Sequence, residues 1–250
     1  MYIEQGGQGP DLLLLLHGMG ATGAVWSPLL AEADVRWPGR WLAIDLPGHG
    51  RSAPQDSYAI GQCAASVARA VLPHADASGR LVVLGHSLGG VIALALATGW
   101  FGVAPHRVFG AGIKAAWSDD ELRRMDALAS QPAKKFATED EAWDRYLKVA
   151  GLAGQAAPAS PLALRGVAQE ADGWRLAMDP RANAVGKPPL AELISVTRCP
   201  VHLGRGANDA LVTMAQTRAL DADATELGPH GHNVMVEAPT RVWDWVSSFD

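Results

Sequence analysis

Five short, predominantly apolar runs recur along the chain, at 12–16 (LLLLL), 41–46 (WLAIDL), 81–85 (LVVLG), 107–113 (RVFGAGI) and 200–206 (PVHLGRG). The first three lead straight into turns built on glycine: His17-Gly18, Pro47-Gly48, and the stretch around Ser87. The runs do not alternate apolar with polar residues, which is the pattern of strands covered on both faces. Between them lie segments with helical spacing, at 26–33, 60–72, 88–98, 214–220 and 240–249. Strand and helix in alternation predict an α/β fold with a mostly parallel central sheet flanked by helices.

The alternation stops between 116 and 197, where no run reads as a strand. Ser118-Asp119-Asp120-Glu121 and Thr138-Glu139-Asp140-Glu141 both have the form of a capping box, in which the hydroxyl and the glutamate each satisfy a backbone N–H at a helix start. Gly151 offers a stop for the second helix. Ser160-Pro161 predicts the start of a third helix, with Gly173 as its end, and Pro188-Pro189 the start of a fourth. The expected organisation is a core made of 1–115 and 198–250, with an all-helical insertion over 116–197.

The 250 residues suit one such domain with an insertion, and 48% of them are hydrophobic, enough for a substantial core. The net charge of −5 argues against a nucleic-acid surface, which needs clustered cations to neutralise phosphate. Cys63 and Cys199 belong to no CxxC pair, and no Cys/His cluster has metal-ligand spacing, so both are expected as free thiols and no metal is expected. The first residues have no basic stretch followed by an apolar one, and no apolar run approaches the ~18 residues of a membrane span. The expectation is a cytoplasmic protein without a membrane partner. No phosphate-cradling or dinucleotide motif is present either, so no cofactor is expected.

Gly85-His86-Ser87-Leu88-Gly89 has the form G-x-S-x-G between a strand and a helix. A turn that sharp needs small neighbours two positions to either side and a strained serine, and it presents the hydroxyl at a helix N-terminus. Ser87 is therefore the candidate nucleophile. A serine hydroxyl needs a base. His232, between the run ATELGPHG and a final helix, falls in a loop at the carboxyl end of a strand, where ligands gather in open α/β sheets; His230 is its nearest rival. Of the remaining histidines, His17 and His49 lie in glycine-rich turns and are read as structural, His86 as a packing residue, and His74, His106 and His202 as surface or strand positions. Asp209, in the loop after 200–206, is the candidate partner for the base, with Asp45, Asp119 and Asp120 as alternatives. The oxyanion formed by attack on a carbonyl calls for two pre-aimed N–H groups; those of Leu88 and Met19 are the candidates, with Gly20 in reserve.

These pieces, with LLHGMGATGAVW, DLPGHGRS, GHSLGG, GRGANDALV and GHNVMVEAP in that order, resemble the α/β-hydrolase superfamily across almost the whole chain. The resemblance implies a serine hydrolase working through an acyl-enzyme, with the insertion as its lid. Serine at the elbow speaks against the dehalogenase and epoxide hydrolase branches, which carry aspartate there. HGMGATGAVW also resembles the meta-cleavage-product hydrolases, which break carbon–carbon bonds. The expected substrate is a small to medium, mainly apolar carboxylic ester. Carbon–carbon bond hydrolysis and ligand sensing without turnover are the competing readings. Trp117, Trp143, Leu147, Leu152, Trp174 and Met178 are candidate pocket residues. Arg123, Arg124, Lys134 and Lys135 either attract an anion or form a solvated face.

Overall fold

A computed structural model describes residues 1–249. Seven strands form the main sheet: β1 (Ile3–Gly7), β2 (Leu12–Leu16), β3 (Arg40–Ile44), β4 (Leu81–His86), β5 (Arg107–Ala111), and two that follow the insertion. A hairpin within the insertion supplies β6 (Val167–Glu170) and β7 (Gly173–Leu176), and the main sheet is completed by β8 (Val201–Arg205) and β9 (Thr225–Glu226). The order across the main sheet is β1-β3-β2-β4-β5-β8-β9, parallel throughout except for the antiparallel edge strand β1.

The apolar runs are buried on both faces, as a period of two requires. Leu12, Leu14, Leu16, Leu42, Ile44 and Val83 pack into one core cluster, while Leu13, Leu15, Ala43, Val82 and Leu84 pack into the other. The helix Leu88–Ala97 is buried at every position and lies against β4 and β5, as an all-apolar helix must. Cys63 is buried, Cys199 half-buried, and both are free thiols. Among the described residues no helix is long and apolar enough to cross a membrane.

From β2 the chain steps to β3 on one side and then to β4 on the other. The loops after β2 and β4 therefore diverge and leave a crevice at the carboxyl ends of the strands. His17–Gly20 and Ser87 occupy those two loops.

The insertion between β5 and β8 is not all helical. Its helices Asp119–Ala129 and Glu139–Val149 both carry the anticipated capping boxes, from Ser118 with Glu121 and from Thr138 with Glu141, and Leu190–Ser195 follows Pro189. The helix expected from Ser160-Pro161, however, is a single 3₁₀ turn at Pro161–Ala163, and the chain then forms the β6–β7 hairpin. Two long-range contacts outweigh the local signal. Phe136 and Trp174 exchange backbone hydrogen bonds of 2.8 and 3.0 Å, extending the hairpin sideways. Arg165, in a left-handed conformation at φ 68°, sends its guanidinium into the core. There it meets Asp45 Oδ2 at 3.0 Å and Glu4 Oε1 at 2.7 Å. Asp45 is fully buried and also accepts from the N–H groups of Gly23 and Arg51. Its role is thus to tie β3 to the insertion, which removes it as an alternative partner for the catalytic base.

Candidate active site

Ser87 sits where β4 turns into the helix Leu88–Ala97, with φ 50° and ψ −115°, a conformation disfavoured for any residue with a side chain. The flanking glycines are obligatory. A Cβ on Gly85 would lie 2.4 Å from Gly89 O, and one on Gly89 would lie 2.1 Å from Leu16 O. Helix and strand can approach this closely only through bare backbone.

The His232 Nδ1–H donates to Asp209 Oδ2 at 2.8 Å. Asp209 is buried, and its Oδ1 accepts from the N–H groups of Leu211 (2.8 Å) and Val212 (3.2 Å). The carboxylate is fixed at both oxygens, and in the neutral imidazole the lone pair is left on Nε2. The rival His230 makes backbone bonds to Gly228 and Asn208 instead. Asp119 and Asp120 are exposed in the first turn of their helix.

Ser87 and His232 both lie against the end of β5, at Ala111 and Gly112. The Ser87 N–H donates to Ala111 O at 2.9 Å, and the His232 ring lies 3.2 Å from where a Cβ on the next residue, Gly112, would be. The half-exposed Ser87 hydroxyl makes no hydrogen bond to a described residue, so the structure joins Asp209 to His232 but does not join Ser87 to them. His86 packs its ring edge-on to His232, centroids 4.6 Å apart, and its Nε2–H donates to the His232 carbonyl at 2.9 Å. The residue expected to be mere packing thus holds the backbone of the candidate base.

The loop after β2 is fixed by two more buried histidines. His17 Nδ1–H donates to Gly18 O at 2.7 Å while His17 Nε2 accepts from Leu46 N–H at 2.9 Å. A trans peptide points its C=O and N–H in opposite directions, so anchoring Gly18 O also aims the Met19 N–H. His49 Nε2 accepts from the Gly20 N–H at 3.1 Å, which commits Gly20 and leaves it unable to serve as the reserve donor. Among the described residues the N–H groups of Met19 and Leu88 have no partner, and both residues line a cavity together with Ser87.

Burial holds all three of these histidines neutral: His17 is pulled down to about 3, and His49 and His86 are lowered as well. An unfolded chain protonates each near pH ~6.5, whereas the folded chain resists. Stability is therefore complete above that pH and declines as pH falls toward 3. For His17 alone the linkage is about 2 kcal/mol between pH 7 and pH 5, and the other two act in the same direction. Urea unfolding at pH 7 and pH 5 should show a clear drop in midpoint; an unchanged midpoint contradicts the assignment.

The cavity at Ser87 has a volume of about 180 Å³, with Ile60, Val91, Trp117, Met125, Val185 and Pro188 as its apolar wall and Lys114 and Asn183 as polar members. A larger cavity of about 590 Å³ lies within the insertion, lined in part by Phe136, Leu176, Met178 and Lys134, and shares Asn183 with the first. Of the anticipated pocket residues, Trp117 lines the cavity at Ser87 and Met178 the larger one. Trp143, Leu147 and Leu152 are buried in the core instead. They belong to or follow the helix Glu139–Val149, whose apolar face packs inward. Trp174 lines neither cavity and pairs with Phe136. Of the anticipated cations, Arg123 pairs with Asp120, and Lys135 pairs with Glu170 and Asp172. Lys134 lies over the Phe136 ring. Lys114 and Asn183 went unrecognised in the sequence: Lys114 comes near Ser87 because it follows β5, whose Ala111 O accepts from the Ser87 N–H, and Asn183 only through the fold of the insertion.

Residues 13–245 match the family model described as alpha/beta hydrolase family. Among curated proteins, a pimeloyl-[acyl-carrier protein] methyl ester esterase of Vibrio parahaemolyticus is 40% identical over 133 residues, covering 53% of this chain and 41% of that protein. The dihydrolipoyllysine-residue acetyltransferase component of an acetoin cleaving system from Pseudomonas putida is 29% identical over 96% of this chain and 64% of that protein. The match to the first of these, and those to esterases of the same name from Aeromonas hydrophila and Vibrio vulnificus, span only 32% to 41% of the length of those proteins. Among solved structures, an E-2-(acetamidomethylene)succinate hydrolase superposes with TM-score 0.78 at 21% identity, over 99% of this chain and 93% of that one. A thioesterase domain from the curacin biosynthetic pathway gives TM-score 0.78 at 20% identity, over 98% and 94%. At such identities the likeness concerns the fold.

Proposed function

This chain belongs to the alpha/beta hydrolase family, and we propose that within it the protein is a serine hydrolase cleaving a small carboxylic ester through an acyl-enzyme. The observation that carries this reading is the pair of unpartnered N–H groups, of Met19 and Leu88, on the cavity wall that bears Ser87. Unpaired backbone donors at a buried turn are costly unless something accepts from them, and a developing oxyanion between them is such an acceptor.

In the proposed mechanism the Ser87 hydroxyl rotates to His232 Nε2, a closure that substrate commonly completes. It then attacks the ester carbonyl while Nε2 takes the proton. Asp209 holds the imidazolium through the Nδ1–H bond of 2.8 Å. Nε2 returns the proton to the leaving alcohol. Water, deprotonated by the same nitrogen, attacks the acyl-enzyme; the Ser87 oxygen then leaves, takes the proton back from Nε2, and the acid is released. The insertion over 116–197 serves as the lid that shields this chemistry from bulk water. The methyl ester esterases among the relatives favour ester over carbon–carbon cleavage.

The reading is tested by incubation with a fluorophosphonate, followed by peptide mapping, alongside a panel of chromogenic esters of rising acyl length. Adduct on the peptide containing Ser87, with steady turnover of short esters, is the expected result. Labelling elsewhere overturns the assignment. A ring-fission keto acid cleaved while every ester is spared favours carbon–carbon hydrolysis, and a single stoichiometric burst favours a sensor.

A further inference from the structure

Lys114 is the one ionisable side chain lining the cavity at Ser87 among the described residues. It lies three residues beyond the end of β5, with its side chain only 16% exposed. An ammonium in an apolar enclosure loses hydration and is retained only with compensating partners. It has two. Glu121, in the first turn of the helix Asp119–Ala129, pairs with it through Oε1, and the Trp117 ring lies 4.7 Å from Nζ. Glu121 is itself divided, because its Oε2 also accepts from Ser118 N–H (2.9 Å) and Ser118 Oγ (3.1 Å) in the capping box. The Lys114 and Ser118 hydrogen bonds hold the Glu121 carboxyl at about 2, so the pair persists throughout the neutral range. A lysine ammonium offers three N–H donors, and one carboxylate oxygen and one aromatic face leave capacity for a further acceptor. The indole N–H of Trp117, on the same wall, is buried with no hydrogen-bond partner.

We propose that Lys114 is a specificity-determining residue that selects esters bearing a carboxylate a few bonds from the scissile carbonyl, such as half-esters of short dicarboxylic acids. The proposal rests on the ester-hydrolase reading above and narrows the expectation of a mainly apolar substrate to one that also carries a carboxylate. The apolar wall accommodates the carbon skeleton, the N–H groups of Met19 and Leu88 receive the reacting oxygen, and Lys114 supplies, among the described residues, the one positive charge lining the enclosure. An anion in that enclosure is attracted more strongly than at an open surface, because little water screens the pair.

The test compares kcat/KM for 4-nitrophenyl butanoate with that for the mono-4-nitrophenyl ester of glutaric acid and for 3-carboxyphenyl butanoate. These place the carboxylate on the acyl side and on the alcohol side respectively. The wild-type chain should favour one charged ester over its neutral counterpart by tenfold or more. Lys114→Met should reduce that ratio at least tenfold, and Lys114→Arg should restore most of it. Glu121→Gln separates charge recognition from tethering of the helix: it should leave the ratio equal or higher, because it frees the ammonium. A ratio near one in the wild type, or one that Lys114→Met does not change, overturns the proposal. So does an equal fall in the ratio for Glu121→Gln and Lys114→Met. Should the lysine variants fail to fold, inhibition of the wild type decides. Glutarate should compete with the neutral ester at least tenfold better than glutaramide, and equal inhibition overturns the proposal. Turnover of the neutral ester without charge preference defeats this inference alone. Failure to turn over any ester, with no adduct at Ser87, defeats the hydrolase reading and this one with it.

Discussion

Ser87→Ala is expected to lower kcat for ester cleavage on the order of 10⁶-fold, the scale seen when a triad nucleophile is removed and only substrate binding and oxyanion donors remain. The variant should fold. Ser87 Oγ makes no hydrogen bond to a described residue, so its loss leaves no buried group unpaired, and thermal unfolding should report a nearly unchanged midpoint. The backbone itself gives a second readout. Alanine retains a Cβ at φ 50°, ψ −115° and so retains the strain, which is worth about 1–3 kcal/mol at such positions. Ser87→Gly relieves it, offset by about 1 kcal/mol of extra chain entropy in the unfolded state. A glycine variant as stable as the alanine variant, or more so, and equally inactive, fits an elbow strained to present its hydroxyl. Undiminished turnover in Ser87→Ala removes the nucleophile from the mechanism.

Asp209→Asn is expected to reduce kcat by roughly 10⁴-fold with the fold retained. The asparagine carbonyl can still accept from the N–H groups of Leu211 and Val212, as Asp209 Oδ1 does. Its amide then faces His232 Nδ1 with a donor where the carboxylate offered an acceptor. The imidazole responds by carrying its proton on Nε2, the nitrogen that must accept the serine proton. The imidazolium also loses the charge that stabilises it. The rate of fluorophosphonate labelling at Ser87 should fall in parallel with kcat, since both need the same proton transfer. A variant that keeps more than a tenth of wild-type activity indicates that Asp209 only shapes its loop.

The central sheet was legible because its strands are buried on both faces. β2, β3, β4, β5 and β8 all announce themselves as apolar runs. β1 escaped notice because an edge strand with one solvated side, IEQGG, needs no such run, whereas β9, though only two residues long, was legible in the run ATELG before its glycine turn. The hairpin β6–β7 was hidden for a related reason. Its residues are half-buried or exposed, and its identity is set by Phe136 and Arg165 rather than by local spacing. The pairing of Asp209 with His232 could be inferred because each follows a recognisable strand at its carboxyl end. The services of His17, His49 and His86 could not, since each depends on which backbone group faces a ring after folding. Lys114 reaches the cavity because β5 pairs with β4, and Asn183 only through the packing of the insertion.

The buried bond from Arg165 to Asp45 bears on how such proteins can be recombined. Asp45 follows β3 of the main sheet and Arg165 lies in the insertion, yet neither is tolerable alone. Removing the cation would strand an ionised carboxylate in the interior, at a cost of about 3–5 kcal/mol, a large part of the whole stability of a domain. A chimera that grafts a foreign insertion between β5 and β8 must therefore either bring its own guanidinium to that spot or neutralise residue 45 at the same time. The two halves are exchangeable only as a matched set.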